Sequence, residues 1–367
     1  MARRAAELGR FNASKVGREV DLVLSTPRIV PAKIAAISTY LPQRVLGNDE
    51  LAAVFEGWSA DKIFDKTGIA RRHIAAPTET ALDMGTAAAN RLIAESQADP
   101  ASIDFLIFCT QAPDYVLPTS ACIMQHRLGL PKSVGALDIN LGCSGYVYGL
   151  SLAAGLIAGG MARRVLLVTA DTYSKFINDG DRSVRTLFGD GATASLIESG
   201  ESAEGGSLGP FVFGTDGSGA RELIVETGGS RVPRSAATAV GQIDEFGNVR
   251  SADNLFMNGA AVMSFTLREV PRLLSQLQSL GQVEDGDVDF YVLHQANRFM
   301  LDALVKKMKI APEKAPYFFE DIGNTVSSTI PFVIRNLIDE GRINSGTTAA
   351  LLGFGVGLSW GGAIVRF

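Results

Sequence analysis

Cysteine and histidine are both scarce, three of each in 367 residues. Cys109, Cys122 and Cys143 have neither even pairing nor CxxC spacing, which excludes a disulfide framework and a thiolate zinc site. No metal site is expected. Charged residues make up only 20% of the chain and the net charge is −5, so nothing resembles a phosphate-binding surface and no nucleic-acid partner is expected. No stretch of about 20 apolar residues is available to span a bilayer, so no membrane partner is expected either. The opening "MARRAAELGRFNASKVGREVDLVLSTPRIVPAK" is basic but lacks the apolar h-region of a signal peptide, and residues 1–32 read as an N-terminal extension. The expectation is a reduced, soluble, cytoplasmic protein.

Hydrophobic residues, by contrast, make up 46% of the chain, and at this length two packed halves are expected rather than one small core. Strand-like and helix-like segments alternate, favouring an α/β fold with largely buried sheets. Strand candidates include "KIAAISTYL" (33–41), "DFLIFCT" (104–110), "ALDINL" (136–141), "RVLLVTA" (164–170) and "TASLIE" (193–198). The second half offers "LGPFVFGTD" (208–216), "DFYVLHQ" (289–295), "TAALLGFG" (348–355) and "GAIVRF" (362–367). Helical stretches are expected at 81–97 and 259–281. The halves echo each other: "IDFLIFCTQA" resembles "VDFYVLHQA", and "FGDGATASLIE" resembles "FGVGLSWGGAIV", in the same order. That points to a duplicated unit splitting near residue 200, with halves 33–200 and 201–367. Residues 228–256 are polar, turn-rich and aperiodic, and read as a long surface insertion or lid.

Cys143 sits in "NLGCSGYVYGL", between a strand-like run and an Ala/Leu/Gly-rich segment suited to a buried helix. A cysteine at that turn is either a small hydrophobe of the core or a nucleophile. On the first residues of a helix, unpaired N–H groups and the macrodipole would lower the thiol pKa. Gly142, Ser144 and Gly145 would let a carbonyl approach closely. Cys109 and Cys122 lie in apolar segments and read as structural. Among the histidines, His73 and His126 read as structural or surface residues, whereas His294 closes the strand "DFYVLHQAN". Asn324, in "DIGNTVSSTIPF", precedes a helix expected over 325–338, where it is either a helix N-cap or a site residue.

The motifs "CSGYVYGL", "LHQAN", "GNTVSSTIP" and "GFGVGLSWGGAIVRF", with "KTGIARRHIA" at 66–75, together resemble the β-ketoacyl-acyl-carrier-protein synthase III family. The resemblance runs from about residue 33 to the end. It implies the thiolase fold, an α/β architecture of two duplicated mixed-sheet halves in five α-β-α-β-α layers. It implies Cys143 as acyl-accepting nucleophile and His294 with Asn324 as donors to the carbonyl oxygen of a malonyl thioester. The backbone N–H groups of Cys143 and Val356 would form the oxyanion hole, and Phe354 matches a phenylalanine beside the cysteine. Carried over in the same way, substrate contacts fall to Leu117, which would reach into a partner's acyl pocket, and to Arg182, Phe188, Gly259 and Asn297.

Some positions depart from the family pattern. Lys66 stands where arginine is usual, and lysine cannot supply a flat stacking guanidinium. Trp58 lies four positions before the family's adenine-stacking tryptophan, leaving Lys62 in that slot. Phe299 replaces an arginine, and Val356 a small residue. The reaction implied is decarboxylative Claisen condensation giving a 3-ketoacyl product, in fatty-acid initiation or specialised lipid or polyketide synthesis. Acyl-coenzyme A or acyl-carrier protein and malonyl-acyl-carrier protein would be the partners, with no resident cofactor and a homodimeric assembly. The alternatives are acyl transfer to an amine or hydroxyl without decarboxylation, and a non-catalytic partner subunit.

Overall fold

Two mixed sheets run back to back in the computed structural model, which describes residues 31–200 and 206–367. The N-terminal extension expected over 1–32 falls almost wholly outside the described residues. The first sheet holds β1 (Ala32–Tyr40), β2 (Phe105–Cys109), β3 (Gly135–Ile139), β4 (Arg164–Asp171) and β5 (Gly191–Ser199) in the order β1-β5-β4-β2-β3. The second holds β6 (Ser207–Thr215), β7 (Phe290–Leu293), β8 (Thr348–Gly355) and β9 (Ser359–Arg366) in the order β7-β8-β9-β6. β2 is parallel to β3 and β4, while β4, β5 and β1 alternate in direction. β7 is parallel to β8, while β8, β9 and β6 alternate. The strands β1-β5-β4-β2 and β6-β9-β8-β7 therefore repeat one order and one set of directions.

Helices complete five layers. α1 (Ala81–Ser96) and α2 (Ser120–Arg127) cover the outer face of the first sheet. α3 (Gly145–Ala158) lies between the sheets and touches strands of both. α4 (Gly259–Gly281) covers the outer face of the second sheet and packs on α5 (Arg298–Met308). α6 (Thr329–Asp339) joins α3 in the central layer, against β1, β5 and β7. A helix enclosed on two sides needs apolar residues all round, and "GYVYGLSLAAGLIA" supplies them. Burial of Val147, Leu150 and Ile157 stabilises the fold by roughly 1.5–3 kcal/mol each. Gly149 allows the close approach, because a β-carbon there would stand 2.6 Å from Leu167 Cδ1.

Two local expectations are corrected. The helix expected over 325–338 does not begin after Asn324; a 3₁₀ turn, Val326–Ser328, intervenes and α6 starts at Thr329. The cause is Val326, whose φ of 56° is left-handed and cannot belong to a right-handed helix. The 228–256 insertion is also more ordered than its sequence indicates. At its base Leu223–Val225 pairs antiparallel with Leu255–Met257, and further out Gln242–Ile243 pairs with Val249–Arg250. Arg250 fastens that hairpin to the buried Asp181 at 2.7 Å, so the insertion is tethered rather than a free lid.

Candidate active site

Strand ends and turns from both halves meet at one cavity. Cys143 lies in the turn between β3 and α3, two residues before the helix begins. The Gly145 N–H closes this turn on the Gly142 carbonyl at 2.8 Å, and Ser144 Oγ meets Ser359 Oγ at 2.7 Å, tying the turn to β9. From the end of β8, Gly355 leaves the sulfur its space: a β-carbon there would stand 2.8 Å from Cys143 Sγ. The backbone N–H groups of Val356 and of Cys143 itself act to lower the thiol pKa.

His294 follows β7 and continues its ladder, its N–H donating to the Leu352 carbonyl at 2.8 Å. The ring stands edge-on to Phe354, centroids 5.5 Å apart, and its Nδ1 is 2.7 Å from Thr329 Oγ1. Asn324 bridges to Phe188, and its Oδ1 accepts the Val326 N–H at 2.9 Å. That bond leaves Nδ2 free to face the ring, 3.5 Å from His294 Nε2. Cys143, His294 and Asn324 are all buried and all line a cavity of about 390 Å³.

Burial sets the protonation of the group. His294 is pushed down to about 3 by desolvation, so its imidazole is neutral. The Cys143 thiol is pushed up to about 12, first by burial and then by the nearby Asp171, against the pull of the two N–H groups. This corrects the expectation of a lowered thiol pKa. The helix-terminus effect is present in kind, but desolvation of a buried sulfur outweighs it. Asp171 itself is raised to about 7, mainly by burial.

The remaining sequence-derived residues divide into two groups. Phe188, Gly259, Asn297 and Phe354 line the cavity, and Asn297 is also the N-cap of α5, accepting the Met300 N–H at 2.9 Å. Val356 does not line the cavity, and its N–H acts on the Cys143 thiol, whose pKa it lowers. Arg182 lies outside it: the guanidinium sits 5.5 Å from the centre of the Trp58 ring and donates to the Phe246 carbonyl of the insertion. Lys62 and Lys66 approach the same ring at 5.1 and 5.7 Å, and Lys66 reaches the cavity lining. Leu117 is 79% exposed on a loop away from the cavity.

Cys109 is buried as expected, while Cys122 is exposed on α2. His73 bonds the Pro42 carbonyl at 2.6 Å, and His126 is exposed in the last turn of α2. Sequence reading missed Thr329 as the partner of His294. It also missed the apolar wall of Leu223, Met257, Val262 and Met263.

Comparison with known proteins agrees with this geometry. Family profiles described as 3-oxoacyl-acyl-carrier-protein synthase III match residues 137–217, and, for its C-terminal part, residues 279–367. A β-ketoacyl-acyl-carrier-protein synthase III of Chlamydia caviae is 37% identical over 340 residues, covering 92% of this chain and 98% of that protein. A crystal structure of a 3-oxoacyl-acyl-carrier-protein synthase III superposes with a TM-score of 0.90 at 55% identity, covering 92% and 100% of the two chains. The priming β-ketosynthase of a polyketide biosynthetic pathway superposes with a TM-score of 0.80 at 29% identity, covering 94% and 98%. The chain belongs to the β-ketoacyl-acyl-carrier-protein synthase III family, condensing enzymes of the thiolase fold.

Proposed function

We propose that this condensing enzyme loads an acyl group from a thioester onto Cys143 and joins it to the two-carbon unit of a malonyl thioester, as in fatty-acid initiation. The observation that carries the reading is the pair of nitrogen atoms, His294 Nε2 and Asn324 Nδ2, 3.5 Å apart on the cavity that also exposes the sulfur. In the first step the Cys143 sulfur bonds the acyl carbon and the donor's C–S bond breaks. With the thiol near 12, its proton passes to the departing sulfur during attack rather than leaving beforehand.

In the second step the bond to the malonyl carboxylate breaks and carbon dioxide leaves. The electron pair becomes an enolate whose oxygen takes hydrogen bonds from His294 and Asn324. The enolate carbon attacks the acyl-cysteine. The tetrahedral oxyanion is held by the N–H groups of Cys143 and Val356, then collapses to release Cys143 and the 3-ketoacyl thioester. Each oriented donor of this kind is worth roughly 3–4 kcal/mol of transition-state stabilisation. These groups need no cofactor for either step.

Malonyl-acyl-carrier protein is the extender in this reading, and coenzyme A or acyl-carrier protein delivers the primer. A homodimer is part of it. β3 is an edge strand, and Tyr115, Val116 and Leu117 are 60%, 95% and 79% exposed, an apolar loop that suits a partner's surface. An exposed thiol at Cys122 suits the reducing cytoplasm. The test is intact-mass spectrometry with acyl thioesters, followed by labelled malonyl thioester. An adduct on Cys143, then carbon dioxide release with formation of a 3-ketoacyl product, supports the reading. Acyl transfer without carbon dioxide would support plain acyltransfer instead, and no adduct a non-catalytic subunit.

A further inference from the structure

Asp171 ends β4 behind the cavity with 1% of its surface exposed, and the steps above do not use it. Its carboxylate is held by uncharged donors. Oδ1 accepts the Gln111 N–H at 2.8 Å. Oδ2 accepts the Ser327 hydroxyl at 2.5 Å and, more weakly, the Ser327 N–H at 3.4 Å. Ser327 belongs to the turn that separates Asn324 from Thr329.

That turn controls both nitrogen atoms facing the cavity. Asn324 is aimed by its bond from the Val326 N–H, whose direction is set by Thr325 at φ −91° and ψ 27°. Val326 itself then takes a left-handed φ of 56° as the chain turns into α6. A branched β-carbon disfavours this conformation, so something must hold it. Three residues after Val326, Thr329 Oγ1 meets both the Val326 carbonyl, at 3.1 Å, and His294 Nδ1, at 2.7 Å. Thr329 has one hydroxyl proton. Given to His294 Nδ1, the shorter contact, it leaves Nε2–H for a substrate, whereas given to the Val326 carbonyl it would make Nδ1 the donor and leave Nε2 bare. Ser327 lies between these two anchors, and its hydroxyl makes the shortest hydrogen bond of the turn, to Asp171 Oδ2 at 2.5 Å.

We propose that Asp171, acting through Ser327, is a positioning residue for the carbon–carbon bond-forming step. It holds the 326–328 turn so that Asn324 and His294 aim at one oxygen. The inference rests on the condensation reading for its kinetic consequence but not for its geometry. The Oδ1 branch leads elsewhere, to Gln111, whose Oε1 accepts the Tyr173 hydroxyl and lies against Gly142 beside the nucleophile. Ser327→Ala therefore cuts the Asn324 branch alone, and Asp171→Asn keeps an oxygen available for Gln111.

The experiment compares the full-length wild type with Ser327→Ala and Asp171→Asn. Cys143 acylation is followed by mass spectrometry and malonyl decarboxylation by labelled carbon dioxide, and the crystal structure of Ser327→Ala is determined. In Ser327→Ala acylation is expected to stay within about twofold of wild type, while kcat for decarboxylation falls about 10- to 100-fold with KM little changed. Asp171→Asn also removes a group that raises the Cys143 thiol, so it is read on decarboxylation alone, with the same fall expected. In the crystal, Val326 should leave the left-handed region and the Asn324 amide should turn from His294. Equal losses in both half-reactions, no loss in either, or an unchanged Val326 turn each overturn the proposal. If the wild type is acylated yet releases no carbon dioxide, the condensation reading fails, and the crystal structure alone decides the positioning role.

Discussion

Nε2 of His294 and Nδ2 of Asn324 stand 3.5 Å apart, each turned toward the cavity by a bond behind it, from Thr329 Oγ1 and from the Val326 N–H. Two donors fixed at that spacing fit a single oxygen on which charge develops, and they do not touch the thiol's own chemistry. Asn324→Ala and His294→Ala should therefore separate the half-reactions. Decarboxylation and condensation are expected to fall roughly 100- to 1,000-fold, with loading of Cys143 retained. Single-turnover acylation measured beside carbon dioxide release checks this, and parallel losses would contradict it.

The raised thiol predicts a particular pH profile for chemical modification. An unperturbed cysteine titrates near about 8.5, so its alkylation rate levels off just above that value. Cys143, pushed up to about 12 by burial and by Asp171, should react with iodoacetamide at a rate that keeps climbing through about pH 10. Site-resolved mass spectrometry distinguishes it from Cys122, which is exposed. A plateau below about pH 8 would show that the two N–H groups outweigh burial after all.

Gly355 explains why the closing segment is glycine-rich beside the nucleophile. A β-carbon there would meet both Cys143 Cβ and Sγ at 2.8 Å, and the sulfur stands on a short, buried side chain with little room to retreat. Gly355→Ala is expected to move the sulfur from the Val356 N–H and reduce acylation by about 100-fold, the cost of a displacement near 1 Å. Thermal unfolding near that of wild type, measured on the same sample, would assign the loss to the site rather than the fold.

From the residues alone, Cys143 and Asn324 stayed open between core or N-cap and site; it was the resemblance of the motifs around them and His294 that singled out the three, each where a strand or glycine turn breaks off. The strands and α4 were legible without it, since buried sheets are written as apolar runs. Thr329, Ser327 and Asp171 were not. Hydroxyl and carboxylate residues are ordinary in turns, and what distinguishes these is contact across 35 and 156 positions. The thiol was misjudged because a helix start is a local feature, whereas desolvation depends on the whole surrounding shell. The turn at Val326 hid inside "GNTVSSTIP", where a valine at positive φ runs against its own preference.

Asp171 also predicts a trend of stability with pH. Its folded value of about 7 lies above the usual carboxylate range, so between about pH 4 and 7 the folded chain holds a proton that the unfolded chain has lost. That residue's contribution to folding weakens as pH rises through this window, by a few kcal/mol at most. Asp171→Asn lacks the titration. The difference in Tm between variant and wild type should therefore move in the variant's favour from about pH 4 to pH 8. A difference that stays constant would place the carboxyl in its ordinary range.

The tether of the insertion gives the last test. Asp181 is fully buried, accepts the Ser183 N–H at 3.0 Å at the start of the short helix Arg182–Arg185, and takes its ion pair from Arg250 at 2.7 Å. Removing Arg250 alone leaves a buried carboxylate without its cation, which costs roughly 3–5 kcal/mol, more than the pair's net contribution. Arg250→Ala is thus expected to destabilise the chain by that order. Arg250→Leu combined with Asp181→Asn should recover most of it, because the fully buried charge is then gone, while Asp244, the second partner of Arg250, is partly exposed and keeps its bonds from Phe246 and Asn248. The family resemblance implies Arg182 as a contact for the acyl donor, and the same hairpin supplies the Phe246 carbonyl to Arg182 outside the cavity, so its release should raise KM for the acyl donor and leave kcat near wild type. Denaturant titration and steady-state kinetics on the two variants check both halves, and a fall in kcat would mean that the hairpin's hold extends to the reacting groups.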